Sequence, residues 1–112
     1  MKDQYKQEFE TRMIDLHEKL QKDDYYFNKN SNFETICGTK FCVTTTVLFC
    51  NNCLAVEWET QKGTESSCSY YIVLKDQSGA FQTKYIPSKQ AAQREPLLSA
   101  LFEAKQTAAD QK

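Results

Sequence analysis

The chain has 112 residues, 40% of them hydrophobic, with 14 basic and 15 acidic side chains for a formal net charge of −1. That is one small domain, residues 1–112, with one modest core. The near-zero charge offers no bulk attraction to nucleic-acid phosphates or anionic membranes. No run of about 18 apolar residues exists to form a membrane span. The opening MKDQYKQEFE is too polar for the apolar segment of a signal peptide, so an intracellular compartment is expected.

Residues 1–22 predict a helix. Phe9, Met13, Leu16 and Leu20 are spaced 4, 3 and 4 apart and form one apolar stripe among charged neighbours. The stripe suits packing on a sheet, and it equally suits the seam of a two-stranded coiled coil. Asp23 to Asn32 is polar and Asn-rich, and predicts a loop anchored by Tyr25, Tyr26 and Phe27. A helix on such a tether is expected to project. Phe9, Met13, Leu16 and Leu20 are therefore the candidate interaction residues, for pairing with a second copy or with another protein chain. His17, beside Leu16, is expected to face solvent.

Residues 33–86 predict a four-stranded antiparallel meander. Ahead of its four strands, Phe33 to Cys37 is compatible with a further short edge strand, which Gly38 breaks or bulges. Residues 41–60, FCVTTTVLFCNNCLAVEWET, predict a hairpin turning at Asn51-Asn52, because Asn tolerates the positive φ of a two-residue turn. That turn sets Cys50 opposite Cys53, Phe49 opposite Leu54, Val47 opposite Val56, Thr45 opposite Trp58 and Val43 opposite Thr60. Thr44, Thr46, Glu57 and Glu59 then line a second face, expected to be solvated, and Trp58 is expected to anchor the core. A polar turn around Gly63 leads to a strand at 68–75. A loop at Asp76-Gln77-Ser78-Gly79 leads to a strand at 80–86, with Leu74 expected opposite Phe81 and Tyr70 opposite Tyr85. Residues 88–108 predict a C-terminal helix, with Ser88 capping a turn and Pro96 entering a helix at its first turn. The expected fold is α+β, two layers, with both helices on one face of the sheet.

Few residues suggest chemistry. Cys37, Cys42, Cys50 and Cys53 are candidate zinc ligands by type, but seven residues between the pairs is a short separation and Cys42 lies inside a strand. Cys50 and Cys53 can also form a cross-strand bridge. Five cysteines without a leader favour free thiols. Glu57 and Glu59 share a strand face, where a solvated pair outweighs an acid–base pair. Tyr70, Tyr71, Tyr85, Phe81 and Trp58 resemble a base-stacking sheet by type, but lack accompanying basic residues. No phosphate loop and no nucleophile system is present, so the chain is expected to be no enzyme and to need no cofactor.

The stretch from FETICGTKF through SYYIVLKDQSGAFQTKYIPSK to LLSALFEA, about two-thirds of the chain, resembles in layout the RWD-type heads of kinetochore coiled-coil proteins. The YPxxxP element of many members is absent; the chain has only Tyr85-Ile86-Pro87. The resemblance implies a non-catalytic interaction or adaptor module in a homo- or heteromeric assembly. Two alternatives are an RNA-binding subunit of signal-recognition-particle Alu type and a small thiol or zinc protein using Cys50 and Cys53.

Overall fold

A computed structural model describes the backbone of residues 2–110 and the side chains of residues 7, 8 and 10–108. Helix α1 (Lys2–Leu20) precedes strands β1 (Tyr25–Ile36), β2 (Thr39–Cys50), β3 (Cys53–Lys62), β4 (Glu65–Lys75) and β5 (Phe81–Ile86). A short helix α2 (Lys89–Gln93), a 3₁₀ turn (Pro96–Leu98) and helix α3 (Ser99–Asp110) complete the chain. The five strands form one antiparallel sheet in the order β1-β2-β3-β4-β5. The fold is α+β with five strands where the sequence predicts four.

The β2–β3 hairpin has the expected register, with Cys50 opposite Cys53, Val47 opposite Val56 and Thr45 opposite Trp58. Asn51 and Asn52 have φ of 53° and 60°, the left-handed pair a two-residue turn demands. The additional strand is β1, of which only the end from Phe33 is foreshadowed as a short edge strand. The segment expected to be a loop is extended from Tyr25 and pairs with β2 along its whole length, Tyr25 against Cys50 to Ile36 against Thr39. Gly38 neither breaks nor bulges this pairing. With Cys37 (φ 51°) and Gly38 (φ 80°) it makes a second two-residue turn.

The β4–β5 register differs from expectation by one residue: Tyr71 faces Tyr85 and Lys75 faces Phe81. The cause is the loop. Asp76 Oδ1 accepts from the backbone N–H groups of Ser78 and Ala80, both at 2.9 Å, and Asp76 N–H donates to Ala80 O. Ala80 is thereby drawn into the loop, which gains a residue, and a one-residue change shifts every pair.

The helices lie on opposite faces, so the fold has three layers and not two. Met13 and Leu20 of α1 pack with Val47, Phe49, Leu54, Val56, Tyr71 and Val73. Leu98, Leu101 and Ala92 pack with Leu48, Ala55, Tyr70 and Ile72, residues of the opposite parity. The reason is visible in the strands. Val47-Leu48-Phe49, Leu54-Ala55-Val56 and Tyr70-Tyr71-Ile72-Val73 are unbroken apolar runs, and such runs need cover on both sides. The predicted C-terminal helix is divided by Pro96. Ser88 caps α2 by accepting from Ala91 N, and Glu95 caps the 3₁₀ turn. Trp58 shares a face with Leu54 and Val56 but is only half-buried, outside the fully buried core.

Candidate functional site

Three places bring polar or exposed side chains together. The first is the outer edge of β1. The other sheet edge, β5, is short and ends at Pro87. In contrast, β1 has 12 residues and is exposed without interruption from Asn28 to Thr35. Phe33 is 70% exposed and Tyr25 60% exposed. Hydrogen-bonded pairs alternate along the β1–β2 hairpin from Ile36–Thr39, the pair that closes the two-residue turn. The outward-pointing backbone groups therefore belong to Tyr25, Phe27, Lys29, Ser31, Phe33 and Thr35. Their side chains share the α3 face, as the packing of Phe27 beneath that layer shows. Lys40 on β2 rests its ammonium 5.1 Å from the Phe33 ring centre, and Ser31 Oγ is hydrogen-bonded to Thr44 Oγ1 at 2.8 Å.

The second place is a charged cluster under α3. Glu57, expected to be solvated, is 4% exposed. Its Oε2 accepts from the Tyr70 hydroxyl at 2.7 Å, and its Oε1 is ion-paired with Lys105 of α3. Burial and the bond to Glu57 push the Tyr70 hydroxyl well above its ordinary pKa, so Tyr70 stays a donor. Beside them the fully buried Thr46 hydroxyl has no partner among the described residues. At the more open margin, Cys68 Sγ donates to Glu59 at 3.6 Å, and burial followed by the two carboxylates raises its pKa. With almost no exposed surface on Glu57 and none on Tyr70, this cluster fastens α3 to the sheet and presents no group to a substrate.

The third place is a cleft of about 260 Å³ between the β2–β3 turn and the start of α3, lined by Leu48, Cys50, Cys53, Leu74, Pro96 and Leu97 among others. Burial first, then the neighbouring Cys50 and Glu95, push the Cys53 thiol up to about 11. A thiol held protonated in this way is a poor nucleophile and a poor metal ligand. All five cysteines are free.

The candidate zinc ligands are not brought together. Cys42 and Cys50 lie eight residue steps apart along β2, roughly 26 Å at about 3.3 Å per residue, and Cys37 lies farther still, at the β1–β2 turn. Thiolates must meet within about 2.3 Å of one zinc ion, so this set is excluded as a single site. Of the candidate interaction residues, Met13 and Leu20 are buried against the sheet, and Leu16 packs partly buried beside them. The Phe9 side chain lies outside the described residues. From Met13 to Leu20, the stripe that was expected to project is covered by the chain's own sheet. The base-stacking set is dispersed too: Tyr70 and Tyr71 are buried on opposite faces.

His17 also departs from expectation. It has no exposed surface. Nε2–H donates to Asn52 O at 2.9 Å, Nδ1 accepts from Gln21 at 3.3 Å, and the edges of Phe49 and Phe81 stand about the ring at 5.1 and 5.2 Å. Its ring holds the β2–β3 turn onto α1. Comparison with protein-family models, with curated proteins and with solved structures finds no match.

Sequence reading missed the part of β1 from Tyr25 to Asn32 because Asn28, Asn30 and Asn32 have low strand propensity. The signal that was present is the alternation of Tyr25, Phe27, Lys29, Ser31 and Phe33 against those asparagines.

Proposed function

We propose that this chain is a non-catalytic protein-interaction module and that its docking element is the free edge of β1. The observation that carries the reading is a 12-residue edge strand, exposed from Asn28 to Thr35 and bearing Phe33 at 70% exposure. An uncovered strand edge is a row of unpaired N–H and C=O groups that templates another strand. An extended segment of a partner takes its affinity from those main-chain bonds and its specificity from the side chains beside Phe27 and Phe33. The resemblance of the sequence to RWD-type heads implies the same class of role. The proposed compartment is intracellular, where free thiols stay reduced.

A displayed library of linear peptides tests this. Binders should shift the amide resonances of residues 25–35. Lys29→Pro, which removes one outward N–H without touching the β2 ladder, should abolish their binding while Lys29→Ala retains it. Binders that map only to the helices, or that ignore Lys29→Pro, would refute the β1 site.

A further inference from the structure

The edge of β1 is self-complementary, and this singles out an occupant. We infer that a second copy of the chain pairs antiparallel with β1 across a two-fold axis at Asn30, joining two five-stranded sheets into one. This inference rests on β1 being the docking edge. In an antiparallel pair the outward-bonding residues must oppose one another, so the axis can pass only through residues of the strand in a few ways. An axis at Asn30 matches all of residues 25–35. On the α3 face it sets Tyr25 opposite Thr35, Phe27 opposite Phe33 and Lys29 opposite Ser31. On the α1 face it sets Tyr26 opposite Glu34, Asn28 opposite Asn32 and Asn30 opposite itself.

Each of these pairs is favourable or neutral. Phe27 and Phe33 meet twice by symmetry, which covers the exposed Phe33 ring. Carboxamides carry both donor and acceptor, so the asparagine pairs bond to one another in either direction. No like charges oppose. The neighbouring registers do less well. An axis at Lys29 places two ammonium groups face to face, which is destabilising. An axis at Ser31 sets Lys29 against Phe33 and carries Tyr25 past the end of the partner's strand into its turn. Closed two-fold pairing also removes the edge, whereas an unpaired edge of this length invites open-ended association. Residues Asn28 to Thr35 are all exposed, so neither helix layer blocks the approach.

Light scattering on the full chain measures the association, and single cysteine substitutions measure the register. Asn30→Cys lies on the axis and should form an intermolecular disulfide in an oxidising buffer above the level of the unsubstituted chain. Asn28→Cys and Asn32→Cys should each fail alone, being roughly 13 Å from their own copies at about 3.3 Å per residue, yet cross-link when mixed. Ser31→Lys places an ammonium opposite Lys29 of the other copy, twice per dimer. It should raise the dimer dissociation constant by roughly fivefold or more, and Lys29→Pro by roughly tenfold or more, with melting of the monomer little changed. A chain monomeric at every attainable concentration, or a dimer that cross-links at Ser31→Cys and not at Asn30→Cys, overturns the inference. If the monomer still binds peptides along residues 25–35, the docking edge stands and only its occupant is wrong. If it binds none, the edge itself fails.

Discussion

The two faces of the sheet are covered by different chemistry. On the α1 face, the buried layer is mostly aliphatic and aromatic, and His17 links the helix to the Asn52 carbonyl. On the α3 face, apolar packing around Leu48, Ile72, Leu98 and Leu101 gives way towards the far end of α3 to Glu57, Tyr70 and Lys105. Both faces belong to the same three central strands. The difference shows that a strand face of Thr and Glu is not necessarily a wet face. A helix that brings an ammonium of opposite charge closes it, provided each carboxylate oxygen finds a donor, as Lys105 and Tyr70 supply here.

Breaking the α3 face at its ion pair should have the largest effect. Glu57→Ala leaves the Tyr70 hydroxyl and Lys105 without their acceptor and should cost about 2–4 kcal/mol, somewhat below the full value for a buried pair because Lys105 retains some exposure. Lys105→Met, which strands the carboxylate, should cost a similar amount. Glu57→Gln combined with Lys105→Met keeps an acceptor for Tyr70 and removes both charges, so it should return to within about 1 kcal/mol of the native chain. Urea unfolding of the native chain, Glu57→Gln, Lys105→Met and the double variant forms the cycle. Additive losses would mean that the pair is not a coupled unit and that α3 is held by its leucines alone.

The corresponding break on the α1 face is smaller. His17→Phe preserves the ring between Phe49 and Phe81 and removes the donor to Asn52 together with the acceptor of Gln21, so it should cost about 1–2 kcal/mol. The loss should be concentrated at the turn, read as faster amide exchange of Asn51 to Leu54 with the rest of β2 and β3 still protected. A loss spread evenly over the sheet would show that His17 acts through packing rather than through its hydrogen bond.

The smallest effect sharpens the comparison through pH. Cys53, on the α3 face, has its folded pKa raised from 9.0 to about 11. The unfolded chain therefore releases this proton first. The associated stability is whole below pH 9 and is lost as the pH climbs from there towards about 11. Tyr71, on the α1 face, is raised to about 12 by burial, then Glu10 and Tyr85, and its share is lost only above the ordinary tyrosine value of 10.0. Cys53→Ala should flatten the decline between pH 9 and 10 while leaving the steeper decline above it. An unchanged profile would show that the Cys53 thiol is solvated.

The sequence by itself determined the β2–β3 hairpin, residue for residue. Asn51-Asn52 dictates a two-residue turn, and only one register then places Val47, Phe49, Leu54 and Val56 on one face. It also determined the capping at Ser88 and the start after Glu95, because a cap acts within three residues of itself. What depended on distant partners was decided by the tertiary structure alone. Glu57 is buried because Lys105, 48 residues away, arrives with α3. His17 is buried because the carbonyl it needs belongs to a turn 35 residues on. Residues 28–32 are a strand because β2 offers a full ladder to pair with, which outweighs the weak strand propensity of asparagine. The β4–β5 register followed from one side chain, Asp76, whose bonds to Ser78 and Ala80 lengthen the loop. Local pattern is sufficient where turn and strands are contiguous. It is insufficient where a face, an edge or a charge is completed by an element that the chain reaches only later.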